Sequence, residues 1–293
     1  MFRDSVPRTY SWTASVWQGD VDPFGELHTT TTLRFLQETA QRASADAGYG
    51  SAYYQRTDRL WLVRRTTARF LTPIQAGDDI EGRTWVADFR RVRSQRDYEI
   101  RVGGHTVTCA STDWVFVDQS QGRPRRIPAE VETTFRPEGG DTIERTPFAS
   151  TPPPTTAWRF ARRIESHELD NLNHVNNANY ARYVEEGILD ALTALGWPLD
   201  RQLASGGRVR RVEHDFEYLT PAVYGDTVES VVWIHHVDDA TLDFAVWITR
   251  ADARRPLLRA RTRCVWTPTG TAAAPSKPPL PAALRLAVIE ACN

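Results

Sequence analysis

Ten consecutive residues, Glu168-Leu169-Asp170-Asn171-Leu172-Asn173-His174-Val175-Asn176-Asn177, bring together acidic, imidazole and carboxamide side chains. Such groups are expensive to bury without partners. They lie just ahead of an apolar-periodic segment that reads as a helix, whose first amides point outward and suit a developing oxyanion. Hydrolysis of a thioester needs those two things: a base or nucleophile for the acyl carbon, and donors for the oxygen. Asp170 can activate water or attack directly, His174 can orient it or move a proton, and amides near residues 174–177 can hold the carbonyl. The same residue types also suit an Asx-rich loop that only caps the helix. Both readings stand at this level.

The elements that must position this cluster emerge from an internal match at a constant offset of 148 residues. Tyr10, Trp12 and Val16 fall on Trp158, Phe160 and Ile164, and Leu71-Thr72-Pro73 on Leu219-Thr220-Pro221. Gly77-Asp78 falls on Gly225-Asp226, and Trp85 on Trp233. Each copy reads as a strand, a loop, one long helix and a run of strands, which favours an antiparallel sheet. Tyr180, Tyr183, Val184, Ile188, Ala191, Leu192 and Leu195 give the second helix one apolar stripe. Its start is expected near Asn177, as a capping side chain, and its stop at Gly196. The first helix uses Leu33, Leu36, Ala40, Ala43 and Ala47 up to Gly48; its smaller residues imply closer packing or room for a ligand. Strands are expected at 59–74, 78–89, 95–103 and 106–118, then at 208–222, 226–237, 241–250 and 256–267. One helix across a curved antiparallel sheet is the hotdog arrangement, and two such units can pair their sheets edge to edge. The expected division is an N-terminal repeat over 1–136, a linker over 137–155, a C-terminal repeat over 156–268 and an Ala/Pro-rich tail over 269–293. Arg136–Gly140 and Ser150–Pro154 read as exposed linker, and 282–292 as a short docking helix.

Composition narrows the classes. Lys+Arg 36 against Asp+Glu 37 gives a net charge of −1, which argues against a nucleic-acid partner. No apolar run reaches a membrane span and the first residues show no signal-peptide pattern, so a cytoplasmic protein is expected. Cys109, Cys264 and Cys292 form neither a disulfide framework nor a zinc pattern, and Cys109 and Cys264 read as small apolar fillers. His235-His236 sits in a strand where neighbours face opposite ways, so no metal site is expected. His105 and His214 read as strand or turn residues without companions. No GxSxG elbow, glycine-rich phosphate loop or HExxH occurs. Trp61, Trp85, Phe70 and Phe35 suit either an acyl tunnel or plain core. Arginines 90, 91, 93 and 96, and 208, 210 and 211, suit either an acidic carrier protein or a solvated, salt-bridged strand face.

His174-Val175-Asn176-Asn177 followed by Tyr180 and preceded by Asp170 resembles the D-x-x-x-HVNN-x-x-Y signature of hotdog thioesterases. Trp61-Leu62-Val63, Gly77-Asp78, Arg96-Asp97-Tyr98, Ala110-Ser111-Thr112-Asp113-Trp114-Val115 and Arg126-Ile127-Pro128 resemble the acyl-ACP (acyl carrier protein) thioesterases of plants and bacteria, from about residue 8 to 268. The resemblance implies an α+β double hotdog that hydrolyses fatty acyl-ACP to fatty acid and ACP, with no metal or organic cofactor. It implies a catalytic loop in the second repeat and an acyl pocket aided by the first. On this basis Asp170, His174 and Asn173 are the expected catalytic residues. Asn176, Asn177, Asp22 and Trp61 are the expected substrate-binding ones.

This chain departs from the family pattern at two places. The Asn expected two residues after the Asp is Leu172, and the expected Glu-Cys pair is Pro221-Ala222. Either a smaller Asp/His apparatus suffices, with Asn173 or Asn177 orienting water, or the reaction has changed. Glu186 is a reserve base or a partly buried structural acid. In the first repeat, Asp22-Pro23-Phe24-Gly25-Glu26-Leu27-His28 keeps the Asp and Gly of the D-x-x-G-H loop but has Glu26 in the His slot. Asp22 there acts directly or forms the turn. The alternatives are an acyl-CoA thioesterase, a hotdog dehydratase or hydratase, and a non-catalytic acyl-thioester-binding protein, as a monomer or a homodimer.

Overall fold

The computed structural model describes residues 8–135, 143, 145–148, 152–251, 255–269 and 278–292. The expected linker residues 136–142, 144 and 149–151 and residues 270–277 and 293 of the Ala/Pro-rich tail lie outside them. The chain divides into two compact units, Met1–Arg145 and Thr146–Asn293.

The N-terminal unit runs β1 (Tyr10–Ser15), α1 (Thr29–Asp46), α2 (Ser51–Thr57), β2 (Arg59–Phe70), β3 (Asp79–Arg90), β4 (Arg93–Val102), β5 (His105–Asp118) and α3 (Ala129–Phe135). Its strands are antiparallel neighbours in the order β1-β3-β4-β5-β2. The C-terminal unit runs β6 (Trp158–Arg163), α4 (Asn179–Ala194), α5 (Leu199–Ala204), β7 (Gly207–Tyr218), β8 (Thr227–Val237), β9 (Thr241–Arg250), β10 (Pro256–Pro268) and α6 (Ala282–Cys292). Its antiparallel order is β6-β8-β9-β10-β7. Each unit is a long helix on an antiparallel sheet, an α+β hotdog, and the chain is a double hotdog.

The expected strands are present, but β2 and β7 end at Phe70 and Tyr218. Beyond them Leu71-Thr72-Pro73 and Leu219-Thr220-Pro221 leave the ladder, since proline has no N–H to donate. The long helices stop as their glycines require: Gly48 has φ +91° and Gly196 φ +77°. Around Gly196 the Trp197 amide returns to the Leu192 carbonyl at 2.8 Å and the Gly196 amide to Thr193 at 2.9 Å, a Schellman closure.

Each long helix approaches its sheet closely at a glycine. In the N-terminal unit Thr39 lies over Gly82, where a Cβ would come within 2.9 Å of the Thr39 hydroxyl oxygen. In the C-terminal unit Gly187 lies over Ser230, whose Cβ would be 2.9 Å from a Cβ on the helix. The core of the second unit is densely apolar: Val184, Val228, Val231, Val232, Phe244, Val246 and Leu258 are fully buried.

Candidate active site

The polar cluster folds into a tight hairpin between β6 and α4. The Asp170 amide donates to the His174 carbonyl at 2.8 Å, and the Asn173 amide returns to the Asp170 carbonyl at 3.0 Å. Asn173 takes φ +59°, the left-handed third residue of a three-residue loop; asparagine tolerates that conformation better than most side chains. Asp170 and His174 therefore stand opposite one another across the turn, both half-buried, while Asn173 is exposed at its tip. Asp170 Oδ1 accepts the Leu172 amide at 2.9 Å, so one carboxylate oxygen holds the turn.

The first repeat builds the same hairpin. The Asp22 amide donates to Glu26 at 2.8 Å, and Gly25, at φ +77°, donates to Asp22 at 2.9 Å. Asp22 Oδ1 accepts the amides of Phe24 and Glu26 at 2.8 and 3.0 Å. The two loops differ in side chains, Glu26 against His174, rather than in backbone.

Side chains of the signature itself clamp the second loop. The Val175 amide donates to the Ala222 carbonyl at 2.9 Å, and the Ala222 amide to the Tyr180 hydroxyl at 2.8 Å. Tyr218 donates its hydroxyl to the Asn177 carbonyl at 3.1 Å. Burial pushes the Tyr180 phenol up to about 12, with the nearby Asp170 charge among the smaller contributions, so this clamp stays protonated. Behind it, Glu168 is buried on Arg162 at 2.7 Å and on the Glu165 amide at 2.8 Å. Its own carbonyl takes the Asn176 amide at 3.0 Å and Asn179 Nδ2 at 2.8 Å.

The helix starts at Asn179, two residues later than the expected start near Asn177. Asn176, not Asn177, supplies the Asx turn: its Oδ1 accepts the Ala178 amide at 3.0 Å. This arrangement consumes most of the amides expected to face a carbonyl. Those of Val175, Asn176, Ala178 and Asn179 all have protein acceptors. Among the described residues, the His174 and Asn177 amides have none.

Asp22 and Trp61 belong to the N-terminal unit. Trp61 donates its Nε1 to the Tyr54 hydroxyl at 3.0 Å and packs on Phe116 with ring centroids 4.8 Å apart. Phe35 is buried on Trp12 at 4.8 Å. Arg91 and Arg93 are exposed, while the other candidate arginines are buried or paired. Arg96, Arg208 and Arg210 are buried, Arg90 pairs with Asp88 at 2.7 Å and Arg211 with Glu185 at 2.9 Å.

His214 corrects an expectation. Instead of lacking companions, it is fully buried in β7, with Nδ1 2.9 Å from Thr262 Oγ1 and Nε2 3.0 Å from Glu185 Oε1. Glu185, rather than the exposed Glu186, is the inward acid of α4. The helix stripe through Ala181, Val184 and Ile188 passes along Glu185, and His214 alternates with Phe216 and Tyr218 in the inward phase of β7. Those periodicities were available in the sequence.

Comparison with known proteins follows the same division. Residues 7–135 match the family model described as the acyl-ACP thioesterase N-terminal domain, and residues 164–288 that of the thioesterase-like superfamily. An acyl-[acyl-carrier-protein] hydrolase, FATB2, of Cuphea viscosissima is 28% identical over 170 residues, covering 53% of this chain and 41% of that protein. The match thus spans about two fifths of that relative's length. Acyl-acyl carrier protein thioesterase ATL3 of Arabidopsis thaliana is 27% identical over 167 residues, covering 55% of this chain and 82% of that protein. Two solved structures share the fold. The 12:0-ACP thioesterase from Umbellularia californica has a TM-score of 0.71 at 20% identity, over 89% of this chain and 94% of that one. The acyl-ACP thioesterase from Bacteroides thetaiotaomicron has a TM-score of 0.70 at 16% identity, over 88% and 98%.

Proposed function

For this chain, which belongs to the acyl-ACP thioesterase family, we propose hydrolysis of fatty acyl-ACP thioesters to a free fatty acid and the carrier thiol. The observation that carries the mechanism is the hairpin that sets Asp170 opposite His174 immediately before α4. In this reading the thioester oxygen lies on the His174 and Asn177 amides. The Asp170 oxygen not held by Leu172 takes a proton from water, water's oxygen bonds to the acyl carbon, and the carbon–sulfur bond breaks. His174 delivers a proton to the departing thiolate. Positioned proton transfer of this kind is worth about 10²–10⁴-fold, and donors aimed at the developing charge supply much of the remainder.

Asn173 at the loop tip and Asn177 beside the free amide orient the water, and Asn176 supports substrate through the turn it holds. In the N-terminal repeat, Trp61 and Asp22 are our substrate contacts. The test is thiol release from acyl-ACP and acyl-CoA of several chain lengths. Turnover of acyl-ACP that is lost in Asp170→Asn supports the reading, and absence of release from every thioester overturns it.

One observation favours a second reading, a binder that does not hydrolyse. Asp170 accepts its turn amide as Asp22 does, and Leu172 and Pro221 stand where the family has Asn and Glu. Tight acyl-ACP binding without thiol release would establish it.

A further inference from the structure

Beyond β7 the chain runs through Pro221-Ala222-Val223, and the Asp170–His174 hairpin pairs with this segment. The Val175 amide donates to the Ala222 carbonyl at 2.9 Å, and His174 and Val223 form an antiparallel bridge. Where the segment sits therefore decides where the His174 backbone sits. Pro221 has no N–H with which to tie itself down, and Pro221 and Val223 are exposed. Arg250, the last residue of β9, ties the segment instead. Its Nη2 donates to the Pro221 carbonyl at 3.0 Å and its Nε to Asp226 Oδ2 at 2.9 Å. The same Asp226 oxygen accepts the Val223 amide at 3.0 Å. A planar fork meeting two acceptors fixes orientation as well as distance. From the helix side, the Tyr180 hydroxyl takes the Ala222 amide at 2.8 Å.

The first repeat shows that the fold does not require these side chains. There the Leu27 amide donates to the Ile74 carbonyl at 2.7 Å and the Gln75 amide to Asp78 Oδ2 at 2.8 Å, the same backbone pattern. Val102 stands where the C-terminal unit has Arg250, since it faces Ile80 as Arg250 faces Val228. Thr32 occupies the Tyr180 position and donates its hydroxyl to the His28 carbonyl at 3.2 Å. The turn thus forms with neither an arginine nor a phenol on it. Both are present in the repeat whose loop carries His174 and absent from the repeat with Glu26 in that slot, so they serve the imidazole rather than the turn. They act, moreover, on Pro221 and Ala222, the two residues that stand where the family has its Glu-Cys pair.

We propose that Arg250 is a positioning residue for the hydrolysis. By holding the Pro221 carbonyl and Asp226 together it fixes the segment paired with His174, with Tyr180 as the second hold, and so sets where the imidazole meets the departing thiolate. In a chain without the family's glutamate the segment contributes through its backbone, and Arg250 keeps that backbone in place. The effect on kcat rests on the proposed hydrolysis; the effect on the imidazole does not.

Arg250→Met, which keeps an apolar stem and removes the fork, is compared with the wild type by steady-state thiol release from acyl-ACP. It is also compared by the imidazole Hε1 NMR resonance of His174 in the unliganded full chain, identified by its loss in His174→Gln. A misplaced proton donor should lower kcat by about ten- to a hundredfold with KM within about twofold. The His174 resonance should move while those of His235 and His236 on β8 stay. Arg250→Lys, a point charge that cannot span both acceptors, should lose less than the Met variant. Arg285→Met breaks a different arginine pair, with Asp239 at 2.6 Å, and should change neither reading. An unchanged kcat in Arg250→Met, a fall matched by Arg285→Met, or a fall with an unmoved His174 resonance overturns the proposal. If the wild type releases thiol from no thioester, the hydrolytic reading fails by itself, and the resonance alone decides whether Arg250 positions His174. If the Met variant does not fold, Asp226→Asn is read in its place, since it keeps an acceptor for the Val223 amide but removes the charge facing Arg250.

Discussion

Asp170 has two separable jobs in the proposed chemistry, and a pair of substitutions can split them. Its Oδ1 accepts the Leu172 amide at 2.9 Å, and its other oxygen is the proposed base. Asp170→Asn retains a carbonyl-type Oδ1 for the amide but cannot take a proton from water. Asp170→Ala removes both functions. The turn bond is half-buried and its acceptor is charged, so its loss costs about 1–2 kcal/mol. The Ala variant should therefore lose that much in urea unfolding, and the Asn variant about 0.5 kcal/mol or less. For turnover the order collapses: both variants should fall by about 10²–10⁴-fold, which is roughly 3–5 kcal/mol of barrier at 1.36 kcal/mol per tenfold. Thiol release from acyl-ACP under saturating substrate reads the second quantity, and urea melts read the first. An Asn variant that keeps more than a tenth of wild-type turnover would refute the assignment. A variant whose activity falls only in proportion to its unfolded fraction would reduce Asp170 to holding the turn, as the Asp22 carboxylate also does in the first repeat.

Three further outcomes follow from the packing. His214→Ala strips Glu185 and Thr262 of a buried partner and opens a cavity, so equilibrium unfolding should show a loss of roughly 2–4 kcal/mol; a loss below 1 kcal/mol would mean the pair is worth little. Asp238 is held down to about 2, first by the Ala240 amide and then by the Thr241 hydroxyl and amide. That lies below the unfolded carboxylate value of about 3.9, so its contribution is present above about pH 4 and lost as pH falls towards 2. The stability difference between wild type and Asp238→Asn should shrink over that window, and a difference that grows in acid would reverse the sign. Gly187→Thr should destabilise by about 1–3 kcal/mol through overpacking on Ser230. Ser230→Gly should recover most of that loss in a double-mutant cycle, and additive losses would contradict the proposed crossing geometry.

The tandem architecture was legible because bulky residues recur at alternate positions in strands and at three- and four-residue steps in helices, and both copies keep that phase. Strand ends were less legible: proline at 73 and 221 closes each ladder, but only the pairing shows that the chain has left the sheet at Phe70 and Tyr218. The start of α4 was misplaced because either of two adjacent asparagines can form an Asx turn. Asn176 makes it, its Oδ1 accepting the Ala178 amide, while the Asn177 carbonyl takes the Tyr218 hydroxyl. Asp170 and His174 were legible as a pair because a turn brings residues four apart together. His214 was not, because Glu185 and Thr262 lie 29 and 48 residues away.

The deeper reason is that the repeats keep the contact between two positions while the residues at each position change. Where α1 has Thr39 against Gly82, α4 has Gly187 against Ser230, and the side-chain bulk has changed sides of the same crossing. Where Thr66 meets Thr112 at 3.2 Å, His214 meets Thr262 at 2.9 Å, and the larger group at 214 then reaches the acid on the helix. Position by position these look like unrelated substitutions; as pairs, the first keeps a small side chain against a glycine and the second keeps a hydrogen bond between β-strands.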